Sequence, residues 1–222
     1  MTDYVTALIT SFRAHGNHSI AKEQSNYMRN QFEFFGLKSQ ERRLLQREFL
    51  KSAALPPKSE LKSIITEIWE QPQRELHYVG QEFAKKYSRK LEQSDIEIYE
   101  FMVTHKSWWD TVDFIASHLM GTYFKTYPEL RKAFVDKWLT SGNMWLQRCA
   151  ILFQLKYKTE VDTDLLTYTI SPLLGSKEFF INKAIGWMLR EYSKTNSDWV
   201  ASYVSKTELA PLSRKEALRL IQ

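Results

Sequence analysis

The segment Lys106-Ser107-Trp108-Trp109-Asp110-Thr111-Val112-Asp113 sets an indole and a carboxylate, Trp109 and Asp113, one helical turn apart and therefore side by side. Asp113 sits among Val112, Phe114 and Ile115, so its charge needs either a buried partner or an open face toward something positive. An indole face attracts a cation by about 0.5 to 2 kcal/mol, and a carboxylate beside it adds Coulombic attraction that grows as water is excluded. Such a pair suits chemistry that passes through a cation.

Two later segments again put tryptophan close to arginine: Asn143-Met144-Trp145-Leu146-Gln147-Arg148 and Ala184-Ile185-Gly186-Trp187-Met188-Leu189-Arg190. A carboxylate among indoles, with guanidinium groups on neighbouring elements, can stabilise positive charge next to a phosphate backbone. Cleavage of an N-glycosidic bond builds oxocarbenium character on the sugar, which a carboxylate can stabilise while it positions a water. If the leaving base is already cationic through alkylation, no acid is needed and one carboxylate suffices. The residues leave a plainer reading open at each position. Trp109 and Trp187 suit a core, Asp113 suits an ion pair with Arg148, and Lys183 and Arg190, seven positions apart, suit a solvated helix face.

Other chemistry has no visible apparatus. The five histidines form neither HExxH nor a zinc-finger spacing, and a single cysteine, Cys149, excludes thiolate clusters and an intrachain disulfide. No metal site or cofactor is indicated. Walker, GxGxxG and GxSxG motifs are missing from the sequence. Cys149 lies in an apolar run, where an inert core thiol is expected.

The elements that must position these groups are helices. Apolar residues recur at helical spacing, as in Leu61, Ile64, Ile65, Ile68 and Trp69, and strand-like alternation is almost absent. Helix starts are expected at Ser39, Pro72, Ser94-Asp95, Pro128-Glu129, Asn143, Ser176 and Ser213, with Gly36, Gly121, Gly142 and Gly175 between helices. Gly80 and Gly186 fall inside helical patterns, where close helix packing is the expectation. Gln71, Trp108, Trp145 and Phe180 begin similar stretches at intervals of 37, 37 and 35 residues. That period suits stacked helical pairs of the HEAT type, in which Arg74, Asp113, Arg148, Lys183 and Trp187 come from successive rungs of one surface. The expected fold is an all-α, HEAT-like repeat α-solenoid, C-shaped around a concave groove, with residues 1–222 forming a single domain.

Composition agrees with helix, since 7 Gly and 6 Pro in 222 residues are few for a sandwich or barrel. The net charge of +5 permits an anionic partner without demanding one. Residues 1–57 carry 8 basic against 5 acidic side chains and residues 141–222 carry 11 against 8, so the excess sits at the two ends. Neither a basic, apolar leader nor a membrane-length apolar run is present, so a cytoplasmic protein without membrane association is expected.

The chain resembles the AlkD-like DNA alkylation repair enzymes, DNA glycosylases built from HEAT-like repeats. The likeness covers nearly the whole chain. It is carried by Tyr27-Met28, Phe34-Phe35-Gly36-Leu37, Glu41-Arg42-Arg43, Lys106 to Asp113, Trp145 to Arg148, Ala150 to Lys158, Ser176 to Ile181, Lys183 to Trp187, Leu189 to Tyr192, Lys194-Thr195-Asn196 and Glu208 to Ser213. The resemblance implies hydrolysis of the N-glycosidic bond of cationic N3- and N7-alkylated purines in duplex DNA, without metal or cofactor and without flipping the base. It implies a catalytic role for Asp113, with Trp109 and Trp187 holding the lesion nucleotide and Arg148 meeting the backbone beside it. Tyr27, Arg43, Lys156, Lys183 and Arg190 match further DNA-contact positions. Double-stranded DNA with alkylated purines is the implied partner, and nothing points to an obligate protein partner, so a monomer is expected. Relatives often continue past the position of Gln222 with further charge, which leads to an expectation of a weaker grip on DNA here. A non-catalytic binder of bent or branched DNA on the same fold and a HEAT-type protein scaffold are the rival readings.

Overall fold

The computed structural model describes residues 1–221; Gln222 lies outside the described residues. Helix dominates throughout, and the β-pairing present among the described residues is one isolated bridge between Glu33 and Gln73. The chain divides into two compact units, Met1–Lys90 and Leu91–Gln222.

The first unit contains α1 (Asp3–Ala14), α2 (His18–Tyr27), α3 (Ser39–Phe49), α4 (Leu61–Glu70) and α5 (Arg74–Lys86). Helix α1 starts where the Thr2 hydroxyl accepts the Val5 N–H, and it buries Val5, Leu8, Ile9 and Phe12. Helix α4 buries Leu61, Ile64, Ile65, Ile68 and Trp69, the i, i+3, i+4, i+7 stripe read from the sequence. Each such side chain contributes about 2 kcal/mol on leaving water. The Phe34-Phe35-Gly36-Leu37 motif has a structural task. The buried Glu75 carboxylate of α5 accepts the N–H groups of Phe35, Gly36 and Leu37 at 3.1, 2.9 and 3.2 Å. Gly36 has φ +90°, and a Cβ there would lie 1.9 Å from the Asn17 carbonyl oxygen, so only glycine lets this loop close.

The second unit contains α6 (Asp95–Thr104), α7 (Trp109–Phe114), α8 (Gly121–Thr126), α9 (Arg131–Thr140), α10 (Met144–Leu152), α11 (Thr163–Ile170), α12 (Phe179–Ser193), α13 (Ser197–Lys206) and α14 (Pro211–Ala217). Helices α7, α10, α12 and α14 pack side by side in chain order, while α6 backs α7 and α9 backs α10. This all-helical HEAT-like solenoid explains the sequence period. Trp108, Trp145 and Phe180, one repeat apart, meet at the starts of α7, α10 and α12 in tilted and edge-to-face contacts with ring centroids 5.0 to 5.9 Å apart.

Several expected boundaries move. Asn143 caps α10 by accepting the N–H groups of Trp145 and Leu146, and Ser94 precedes α6. Ser213, by contrast, lies inside α14, which starts at Pro211, and its hydroxyl donates to the Asn182 carbonyl at 2.7 Å. Pro72 sits in the turn before α5 rather than in its first turn, and α12 begins at Phe179, three residues after Ser176. Gly121 does not separate helices. A π-helical segment, Ile115–Met120, joins α7 to α8, so helix runs unbroken from Trp109 to Thr126. A Cβ on Gly121 would lie 2.6 Å from the Phe153 carbonyl oxygen, so this glycine serves close packing rather than a turn.

Candidate active site

Asp113 is in the second turn of α7, and Arg148 lies opposite it on α10. Arg148 grips the carboxylate with two parallel hydrogen bonds, Nε to Oδ1 at 2.7 Å and Nη2 to Oδ2 at 2.9 Å. Its Nη1 donates to the backbone carbonyl of Phe180 on α12, so one guanidinium ties three neighbouring helices together. Arg148 is 3% exposed and the Asp113 side chain 14%, so the arginine is enclosed and the aspartate side chain keeps limited exposure. Burial pushes the Asp113 carboxyl up from its ordinary value; the two Arg148 hydrogen bonds and its charge pull back, and Asp110 adds to the rise.

The helix under Asp113 is irregular. The π segment starts two residues later, and Ser117 donates to the Asp113 carbonyl at 2.7 Å. Such segments shift side-chain registers, and they recur at functional sites. Cys149, next to Arg148, is fully enclosed, and burial raises its thiol well above the ordinary value, so it is the inert core thiol expected.

Trp109 is the first residue of α7, one turn before Asp113, and is half-buried. Trp187 lies on α12 and is half-buried too. Lys183, Trp187 and Arg190 are spaced i, i+4, i+7 and so share a face of α12. Lys183 and Arg190 both hold the carboxylate of Glu216 on α14: Lys183 Nζ is 2.6 Å from Oε2, and Arg190 Nη1 bonds Oε1. Burial, together with the cations Arg190, Arg219 and Arg148, lowers the Lys183 ammonium below its ordinary value. Positive charge thus outweighs the one carboxylate in this corner. Lys156, between α10 and α11, is exposed.

Tyr27 and Arg43 belong to the first unit, where Tyr27 is 72% exposed at the end of α2 and Arg43 is exposed on α3. Of the residues singled out from sequence, the structure brings Asp113 and Arg148 into direct contact and joins Lys183 to Arg190 through Glu216. Glu216 itself escaped the sequence reading. Its one signal was Gly186, because a Cβ there would meet Glu216 Cβ at 2.6 Å and the Ser213 carbonyl oxygen at 2.9 Å. Among the described residues, no group of His, Cys, Asp and Glu is arranged to hold a metal ion, and no helix is long and apolar enough to cross a membrane.

Fold and site together define a helical repeat protein with a buried carboxylate–guanidinium pair one turn from an indole and a cation-rich corner. The chain belongs to the DNA alkylation repair enzyme family, whose model matches residues 8–221. It is similar to a solved structure named as a predicted DNA alkylation repair enzyme from Enterococcus faecalis, with 31% identity, 93% of this chain and 96% of that one covered, and a TM-score of 0.86. None of the curated proteins compared matches it.

Proposed function

We propose that this family member is a monofunctional DNA glycosylase that hydrolyses the N-glycosidic bond of positively charged N3- and N7-alkylated purines in duplex DNA. The Asp113–Arg148 pair carries the reading: a carboxylate fixed by two hydrogen bonds on a packed helix, its side chain partly exposed, one turn from an indole. As the bond from the sugar C1′ to the base nitrogen breaks, its electrons neutralise the cationic base, which leaves without protonation. Asp113 stabilises the oxocarbenium charge that develops on the sugar and orients a water for attack at C1′, where the new C–O bond forms as the water's proton passes to bulk solvent. Trp109 and Trp187 supply cation-attracting faces against the lesion nucleotide. Trp109 and Trp187 are half-buried on helices, and in this reading the lesion stays stacked in the duplex against them instead of flipping.

Arg148, enclosed and engaged by Asp113 and the Phe180 carbonyl, positions Asp113. Tyr27, Arg43, Lys156, Lys183 and Arg190 meet DNA, mostly through phosphates, so affinity falls with salt. The protein works as a monomer in the cytoplasm, its 222 residues acting as one domain. No cofactor is required, since the cationic base is its own activated leaving group. One observation favours a second reading, a non-catalytic binder of bent or branched DNA: Arg148 fully engages Asp113, as a purely structural pair would. The two readings separate on free base. Wild-type protein incubated with methylated duplex DNA should release 3-methyladenine and 7-methylguanine, detected by mass spectrometry of the supernatant. Salt-sensitive binding with no base released would leave the binder.

A further inference from the structure

Glu216 has no place in the chemistry above, yet it is built into the site with care. Its side chain is 8% exposed and spans two cations of α12, with Lys183 38% and Arg190 22% exposed. The carboxylate therefore holds both cations from the protein side while each keeps a face toward solvent. Backbone contacts fix the anchor. Ser213, one turn earlier on α14, donates to the Asn182 carbonyl next to Lys183, and Gly186 makes room for the Glu216 Cβ. Trp187 lies between Lys183 and Arg190 on the same helical face. One carboxylate against two cations leaves a surplus of positive charge, and the nearby Arg219 enlarges it; burial first, then these cationic neighbours, hold Lys183 below its ordinary value. A surplus of fixed positive charge at a partly exposed site is what an anion completes.

We infer that Glu216 is a positioning residue that holds Lys183 and Arg190 on either side of Trp187 as a ready-made seat for one DNA phosphate. This rests on the proposed use of α12 against DNA and deepens it. Without Glu216 the two cations repel each other and regain rotamer freedom that DNA must remove on binding. Simple electrostatics makes the opposite forecast, because losing an acid beside the seat raises the positive charge that faces phosphate. The sign of the effect therefore decides.

The test is equilibrium binding of a short fluorescein-labelled undamaged duplex by wild type and Glu216→Gln, from about 50 to about 200 mM salt. The seat predicts that Glu216→Gln binds about fivefold more weakly at low salt despite its extra positive charge. Its salt slope should be shallower by about one, as one ordered phosphate contact is lost. Glu216→Asp, which keeps the charge but reaches only one cation, should fall between the two. In a Lys183→Ala background Glu216→Gln should do little more, since the seat is already broken. Equal or tighter binding by Glu216→Gln, with an equal or steeper slope, overturns the inference, as does a wild type that does not bind DNA. If Glu216→Gln does not fold, Glu216→Asp decides: wild-type affinity and slope would overturn the seat. Base release from methylated duplex, measured alongside, keeps the outcomes apart. Excision with an unaltered slope in Glu216→Gln removes the seat and leaves the glycosylase; a weakened Glu216→Gln with no excision by wild type does the reverse.

Discussion

Two ion networks lie along the same row of helices, and they differ in charge balance. Asp113 and Arg148 match one to one, are joined by two parallel hydrogen bonds, and are largely out of solvent. Glu216 faces two cations, both of them partly exposed. The balanced pair fixes a carboxylate in place without leaving it free to attract any passing cation. The unbalanced triad carries more positive than negative charge, and both of its cations are partly exposed. On the proposed reading, similar residue types serve transient cationic charge in one place and a standing anion in the other.

The largest effect should come from breaking the balanced pair on its enclosed side. Arg148→Met leaves Asp113 buried without its partner and should cost about 3 to 5 kcal/mol in stability, read as a drop in the denaturant midpoint. Part of that cost disappears if Asp113 takes up a proton, so the loss should shrink at acid pH. A loss that is independent of pH would break the contrast. Gly186→Ala attacks the triad through its packing. The added methyl meets Glu216 Cβ at 2.6 Å and the Ser213 carbonyl oxygen at 2.9 Å, and overpacking of this kind costs about 1 to 3 kcal/mol. A neutral result in thermal unfolding would mean that α14 can shift away freely.

The pH dependence sharpens the comparison further. In the proposed reaction Asp113 acts as an anion, and burial raises its carboxyl. Excision should therefore fade on acidification at a higher pH than an ordinary aspartate would give, and the acid limb should move higher still in Arg148→Met. An acid limb unmoved by that substitution would separate Asp113 from the chemistry. The smallest change is expected from Lys183→Ala, which should reduce the slope of DNA affinity against salt by about one while excision at saturating protein stays close to wild type. A large loss of excision there would bring the triad into the reacting centre.

Much of this was legible in the chain, for reasons that differ by element. The apolar stripe of α4 and the Asn143 cap are local and follow from spacing and hydrogen-bonding type. The 37- and 35-residue intervals marked the aromatic residues that pack together, because a solenoid turns sequence period into contact. The Asp113–Arg148 pair was one of two readings open for Asp113. Gly121 and Ser213 misled because glycine and serine favour helix ends, whereas tertiary packing uses Gly121 beside the Phe153 carbonyl and Ser213 to hold Asn182. Glu216 was hidden because its partners lie 33 and 26 residues away, and only the docking of α14 on α12 brings them together.

The central claim is that Asp113 does chemistry and is more than the partner of Arg148. Asp113→Asn tests it, because an amide of the same shape keeps one acceptor for Arg148 while losing the negative charge. Single-turnover release of 7-methylguanine from methylated duplex should fall by about a hundredfold or more, with affinity for undamaged duplex close to wild type. Asp113→Asn that releases the base at the wild-type rate would contradict the account and leave the pair as a structural tie between α7 and α10.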